Sequence, residues 1–150
     1  MSALYSFTTL DDAFFFLNQV KGLPDIRTSR QMREAFVRAS VVLSWVAVEE
    51  GVEHAIHILE LKGQLCIDPP KQFRDRLRFV LLATGNTWNG SKFKEARELR
   101  NRVVHPTGPK GEPDLTVKEA ELVFGYCHNT LNLLFQHKVE LGLSARPANL

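Results

Sequence analysis

The side chains best suited to chemistry lie together in one short stretch, Arg97 to Pro106, that reads RELRNRVVHP. It holds three arginines, an asparagine and a histidine ahead of the proline. The planar guanidinium group of arginine suits a phosphate. Histidine can move a proton near neutral pH, and asparagine can orient a group without adding charge. The set suits metal-free cleavage of RNA, in which histidine acts on the 2′-hydroxyl or on the leaving oxygen and arginine stabilises charge at phosphorus.

The spacing of these residues brings them together only if a helix ends at the right place. Arg100 and His105 are five positions apart, which is about 140° around an ideal helix. Pro106 disfavours the α conformation at His105, so we expect the helix to end near Val103 or Val104. His105 can then fold back towards Arg100, with Asn101 beside both. The alternative is an ordinary solvated helix end, where arginines suit the negative end of the helix dipole.

Helical signals continue through almost the whole chain and predict five helices. Two capping boxes, Thr28-x-x-Gln31 and Thr116-x-x-Glu119, mark helix starts, and Asp68 followed by Pro69 marks another. The predicted helices run from about Thr8 or Thr9 to Val20, Ser29 to Leu61, Asp68 to Thr84, Ser91 to Val104, and Thr116 to Leu141. Such helices with short connections predict an all-α, up-down bundle. We expect one domain over residues 1–142 and a flexible tail over 143–150.

Length and composition favour a single cytoplasmic domain. The chain has 150 residues, and 44% of them are hydrophobic, which is enough for a core. No apolar run reaches the ~20 residues of a membrane span, and Asp11 and Asp12 interrupt an N-terminal stretch that lacks the basic region of a signal peptide. Cys66 and Cys127 have no metal-ligand spacing, so we expect reduced thiols.

Positive charge is concentrated around the RELRNRVVHP stretch. Residues 71–110 hold ten lysines and arginines and three acidic residues, whereas the rest of the chain holds nine and fourteen. A local basic field attracts polyanions even when the net charge is only +2. Within it, Lys71, Arg74 and Arg78 share one helix face, which is either a guide for an RNA backbone or an ordinary solvated surface.

Arg100-Asn101-x-x-x-His105, at the end of a helix in a small all-α domain, resembles the signature of the HEPN (higher eukaryotes and prokaryotes nucleotide-binding) superfamily. That signature is an arginine, four to six residues and a histidine, often with asparagine directly after the arginine. The likeness in architecture covers roughly residues 8–142. Thr107 replaces the tyrosine of one variant, so regulation through that tyrosine is not expected and a nucleotidyltransferase antitoxin is doubtful.

The resemblance implies a metal-independent endoribonuclease of prokaryotic toxin–antitoxin or anti-phage defence type. Its site would form at a homodimer interface, with His105 as general acid or base, Arg100 as phosphate ligand and Asn101 as orienting group. Lys94, Arg97 and Arg102 would bind RNA. No cofactor and no metal are expected, and an antitoxin or defence-system protein is a possible partner. The alternative is a non-catalytic HEPN module that dimerises and regulates another protein.

Two features of the long second helix complete the prediction. Glu50 and His54, like Glu53 and His57, are spaced i,i+4, which favours ion pairs on a helix surface over a metal site, because the Glu-x-x-His spacing of di-iron bundles is missing. The resemblance makes Glu50 the candidate for orienting Arg100 or His105. The helix also has a stripe of small residues that would admit a close neighbour, either a helix of the same chain or a second copy: Ser40, Ser44, Ala47, Gly51 and Ala55.

Overall fold

Five α-helices form the structure, which is a computed structural model that describes residues 3–104 and 115–135, with side chains from Ser6 onward. A 3-10 turn, Arg27–Ser29, precedes the second helix. The helices are α1 (Ala3–Gly22), α2 (Arg30–Leu61), α3 (Phe73–Ala83), α4 (Gly90–Val104) and α5 (Val117–Phe135). Every regular element in these residues is helical, so the predicted all-α bundle class is confirmed. The predicted tail over 143–150 lies outside the described residues.

The long helix α2 is the centre of the bundle, because each of the other four helices packs against it. Its small-residue stripe lets α1 and α5 approach closely. Gly51 is buried, and a Cβ atom there would meet the side chains of Leu131 and Phe135 on α5 and of Ser6 on α1. At Gly51, therefore, the neighbours of the stripe are helices of the same chain rather than a second copy.

Helix α4 is amphipathic. Phe93 and Ala96 are buried, and Leu99 and Val103 are partly buried against the same core. Arg97, four residues after Phe93 and at the edge of this face, is exposed. Because α4 packs on both α2 and α5, this face fixes the direction in which its arginines point.

The predicted starts of the first and third helices are wrong. Helix α1 begins at Ala3 rather than near Thr8 or Thr9, since Ser6 and Phe7 are buried and extend its packed face. Helix α3 begins at Phe73 rather than at Asp68, and Gln72 before it has extended backbone angles. Consecutive prolines at 69 and 70 disfavour the helical conformation in the residues before them.

The capping predictions had mixed outcomes. The Thr116-x-x-Glu119 box is present: the Glu119 amide donates to Thr116 Oγ1 at 3.1 Å and the Thr116 amide donates to Glu119 Oε1 at 3.0 Å. The Thr28-x-x-Gln31 box is absent, because Thr28 lies inside the 3-10 turn and α2 has no side-chain cap. Helix α4 begins at Gly90, one residue before the predicted Ser91, and Asn89 Oδ1 accepts a hydrogen bond from the Lys92 amide.

Candidate functional site

Arg100 lies in the last described turn of α4 and is held from two sides. Its guanidinium carbon is 5.9 Å from the centre of the Trp45 ring, which belongs to α2 and is buried. Its Nη1 donates a hydrogen bond to Asn101 Oδ1 at 3.0 Å. A guanidinium group at this distance from an indole face is attracted by the ring quadrupole. Arg100 and Asn101 therefore contact each other, and both are half-buried.

A cleft of about 230 Å³ opens beside Arg100 between α2, α3 and α4. We call it the arginine cleft, because three arginines line it together with aromatic rings and one carboxylate. Its lining residues are Trp45, Glu49, Gln72, Phe73, Arg74, Phe93, Arg97 and Arg100. An excess of guanidinium groups over carboxylates makes the cleft suitable for an anion.

Glu49 is the acidic residue of the arginine cleft. Partial burial raises its pKa above the ordinary value of 4.5, the positive charge of Arg100 opposes that rise, and the negative charge of Glu50 adds to it. Sequence reasoning missed Glu49. The signal available was its position four residues after Trp45, which places both side chains on one face of α2.

Glu50, the acidic residue expected to orient Arg100 or His105, contacts α1 and does not line the arginine cleft, and its predicted contact with His105 lies outside the described residues. Thr9 Oγ1 on α1 donates a hydrogen bond to Glu50 Oε2 at 3.1 Å, and Glu50 is not among the residues that line the arginine cleft. It acts on the electrostatics of the cleft only through its charge, which raises the pKa of Glu49.

The structure divides the three residues predicted to bind RNA. Arg97 is exposed and lines the arginine cleft, with its guanidinium carbon 5.5 Å from the centre of the Phe93 ring. Arg102 instead pairs with Glu119 on α5, its Nη1 2.9 Å from Oε2. Lys94 is exposed on α4 but does not line the cleft. Of the three, only Arg97 adds its charge directly to the cleft.

His105 lies outside the described residues. It directly follows Val104, with which the described part of α4 ends. The predicted approach of His105 to Arg100 therefore stays a prediction.

The acidic and histidine residues of α2 lie partly on the helix surface and partly in the core, and they do not form a metal site in the described part of the chain. Glu53 forms a two-pronged ion pair with Arg76 of α3, with N–O distances of 2.8 and 2.6 Å. His57 is exposed, and His54 is buried with its ring 5.9 Å from that of Phe135. Within residues 3–104 and 115–135, no group of three His, Cys, Asp or Glu side chains is placed to hold a metal ion.

A larger cleft of about 520 Å³ lies between α4, α5 and the end of α3. Neither Arg100 nor Asn101 lines it. Trp88 does, and the guanidinium carbon of Arg74 lies 5.8 Å from the centre of the Trp88 ring. The two clefts are therefore neighbours linked by the contact between Arg74, which lines the arginine cleft, and Trp88, which lines the larger one.

The two cysteines of the chain are both free thiols. Cys66 is exposed and Cys127 is buried, neither is in a disulfide, and burial raises the pKa of the Cys127 thiol. No helix in the described part of the chain has the length and apolar character that would let it cross a membrane.

No protein-family model, no curated protein and no solved structure matches this chain.

Proposed function

We propose that this protein is a metal-independent endoribonuclease of the HEPN type, acting in a prokaryotic toxin–antitoxin or anti-phage defence system. The observation that supports this best is the arginine cleft at the end of α4. Arg100 is fixed there by Trp45 and Asn101, in the turn that comes directly before His105. A prepositioned guanidinium group is what stabilisation of a charged phosphorus centre requires.

The reaction uses the side chains of the Arg-Asn-x3-His motif. His105 removes the proton of a 2′-hydroxyl, and that oxygen attacks the adjacent phosphorus atom. The bond from phosphorus to the 5′-oxygen breaks, which leaves a 2′,3′-cyclic phosphate on one fragment. The departing 5′-oxygen takes a proton and becomes a 5′-hydroxyl on the other. Arg100 stabilises the negative charge on the phosphoryl oxygens during attack, and Asn101 fixes the guanidinium plane.

A homodimer completes the site in this proposal. One chain supplies one His105, whereas the reaction needs both a base for the 2′-hydroxyl and an acid for the 5′-oxygen. Two motifs that meet across a two-fold axis supply both groups. An antitoxin or defence-system partner would act by covering this surface or by separating the two copies.

The test is cleavage of total RNA and of tRNA in EDTA. Wild type, His105→Ala and His57→Ala are compared, and His57 is the matched control because it is an exposed histidine on α2. We expect wild type and His57→Ala to cut RNA equally in EDTA and His105→Ala to leave it intact. Equal cleavage by all three would mean that another site or a contaminant is responsible.

Absence of cleavage by wild type would favour the second reading, a non-catalytic HEPN module. That reading predicts a dimer that binds another protein without turnover. The specific measurement is the molar mass of wild type by light scattering beside the RNA assay. A stable dimer with no cleavage in any buffer would replace the enzyme proposal with this one.

A further inference from the structure

Three arginines of the arginine cleft lie against one continuous set of aromatic rings. We call this set the aromatic cluster: Trp45, Phe73, Trp88 and Phe93. The Phe93 ring is at its centre, with centroids 5.7 Å from Trp45, 6.2 Å from Phe73 and 5.3 Å from Trp88. Arg74, Arg97 and Arg100 lie over Trp88, Phe93 and Trp45 at 5.8, 5.5 and 5.9 Å.

We propose that Arg74 on its Trp88 ring, together with Arg97, binds the single-stranded RNA segment that flanks the phosphate held by Arg100. The proposal rests on the proposed function, because it takes Arg100 as the residue at the cleaved phosphate. It adds a binding residue on α3, Arg74, and the aromatic ring of Trp88 that supports it. The sequence left the role of Arg74 open between RNA guide and solvated surface.

The ion pairs of the described residues leave Arg74 and Arg97 available to an anion. Arg76, two positions after Arg74, is held by Glu53 at 2.8 and 2.6 Å. Among the described residues, the carboxylate paired with Arg74 is that of Asp75, at 3.6 Å. Both side chains are 48% exposed, so solvent screens this contact. No salt bridge within the described part of the chain involves Arg97. A phosphate can therefore bind either guanidinium group without displacing a strong internal partner.

The aromatic support favours single-stranded over double-stranded RNA. The rings of Trp88 and Phe93 attract the guanidinium groups of Arg74 and Arg97. Because both arginine side chains are exposed, an unpaired base can stack on them. Proteins that hold single strands combine a basic groove with flat groups of this kind. In a duplex the bases are paired and stacked inside, so they cannot reach such a surface.

The experiment measures RNA binding separately from cleavage. All chains carry His105→Ala so that RNA stays intact, and the probe is a fluorescently labelled 12-nucleotide RNA, alone or annealed to its complement. Arg74→Ala is compared with Arg27→Ala, which removes the same charge from an exposed residue in the 3-10 turn. Arg27 precedes α2 and lies 18 positions before Trp45, which corresponds to roughly 25 Å along the helix axis.

We expect the single strand to bind more tightly than the duplex. Arg74→Ala should weaken binding of the single strand about tenfold, in the range measured for loss of one stacked base. Arg27→Ala should change it by no more than about twofold, as expected for one exposed charge. Equal effects of the two substitutions, or equal binding of strand and duplex, would overturn the proposal.

Two further readings separate this proposal from the proposed function and from a protein interface. If wild type does not cut RNA but Arg74→Ala weakens binding selectively, the enzyme proposal fails, and the assignment of Arg74 to the binding of single-stranded RNA stands without a cleaved phosphate. If cleavage requires His105 but Arg74→Ala binds RNA as Arg27→Ala does, the enzyme proposal stands and the assignment of Arg74 to RNA binding is overturned. If Arg74→Ala converts a dimer to a monomer by light scattering, the surface is an interface between copies and the RNA proposal is overturned.

Discussion

At the scale of single residues, the position of Arg100 depends on neighbours from two helices. Trp45 of α2 supplies the ring beneath the guanidinium group, and Asn101 of α4 accepts one of its hydrogen bonds. Arg102, only two positions away, faces α5 and is neutralised by Glu119. The angular step of the helix therefore gives two nearby arginines different roles, one in the cleft and one in an ion pair.

This difference predicts separate effects of two substitutions. Arg100→Ala should lower the rate of RNA cleavage by about 100-fold or more, the loss expected when a donor to developing charge is removed. Arg102→Ala should leave cleavage within about twofold and reduce the free energy of unfolding by less than about 1 kcal/mol, as for an exposed ion pair. Cleavage rates and urea unfolding measure the two effects. If Arg102→Ala loses as much cleavage as Arg100→Ala, Arg102 also acts on the RNA and the separation of the two roles is contradicted.

Replacing Glu49 by glutamine should raise stability at neutral pH and lower the rate of RNA cleavage. Its pKa is raised in the fold, so its neutral form is favoured, and the stability it contributes below about pH 4.5 is lost as pH rises through the raised pKa. Glu49→Gln stays neutral and should match the Tm of wild type at pH 4 and exceed it at pH 7. Cleavage should fall on the order of tenfold, because Arg100 loses a positioning charge. If the Tm of Glu49→Gln falls relative to that of wild type between pH 4 and pH 7, the pKa of Glu49 is not raised in the fold and this prediction is contradicted.

At the scale of elements, α2 determines the geometry because it contacts every other helix. Gly51 is a point of close approach between α2 and α5, because a Cβ atom there would meet the side chains of Leu131 and Phe135. Gly125, in the middle of α5, has open space where a Cβ atom would be added. The two glycines lie inside helices, yet only the first has a packing reason to be glycine.

The two glycines form a matched pair for stability measurements. Gly51→Ala should destabilise the fold by about 1–3 kcal/mol, because the added methyl group overpacks against Leu131. Gly125→Ala should stabilise it by roughly 0.5–1 kcal/mol through helix propensity. Thermal or urea unfolding of both variants measures the contrast, and a stabilising Gly51→Ala would mean that α2 and α5 are not packed at this point.

The start of α5 predicts a dependence of stability on pH. The amide of Thr116 first, and then Arg102, lower the pKa of Glu119 below its ordinary value of 4.5. The stability gained from ionised Glu119 is therefore present above that value and lost as pH falls through the lowered pKa. Glu119→Gln should lie below wild type in Tm at pH 7 and approach it below pH 4. Thr116→Ala, which removes the capping hydroxyl, should cost about 1 kcal/mol at either pH.

The fold class and the contact between Arg100 and Asn101 could be predicted from the sequence because their signals are local. Helical signals predicted the five helices, and the Thr116 capping box marked the start of α5. The adjacency of Arg100 and Asn101 needed only one helix. Glu49 and Arg74 could not be assigned in this way, because their roles depend on how α2, α3 and α4 are packed. The wrong helix starts likewise depended on tertiary burial and on two prolines in sequence.

At the scale of the whole molecule, the most basic segment of the chain also forms much of the arginine cleft. The segment 71–110, with its ten lysines and arginines, supplies α3, α4 and the loop between them, and thus two of the three helices around the arginine cleft. A polyanion would be attracted to this side before any specific contact forms. Arg100 and Asn101, in the last described turn of α4, lie on this side.

The chemistry of the fragment ends tests the central claim most directly. Wild type and His105→Ala are incubated with RNA in EDTA, and the termini of any fragments are determined by mass spectrometry. Attack by the 2′-hydroxyl predicts 2′,3′-cyclic phosphate and 5′-hydroxyl ends from wild type and no fragments from His105→Ala. Fragments with 3′-hydroxyl and 5′-phosphate ends, or the same fragments from both chains, would contradict a mechanism based on Arg100 and His105.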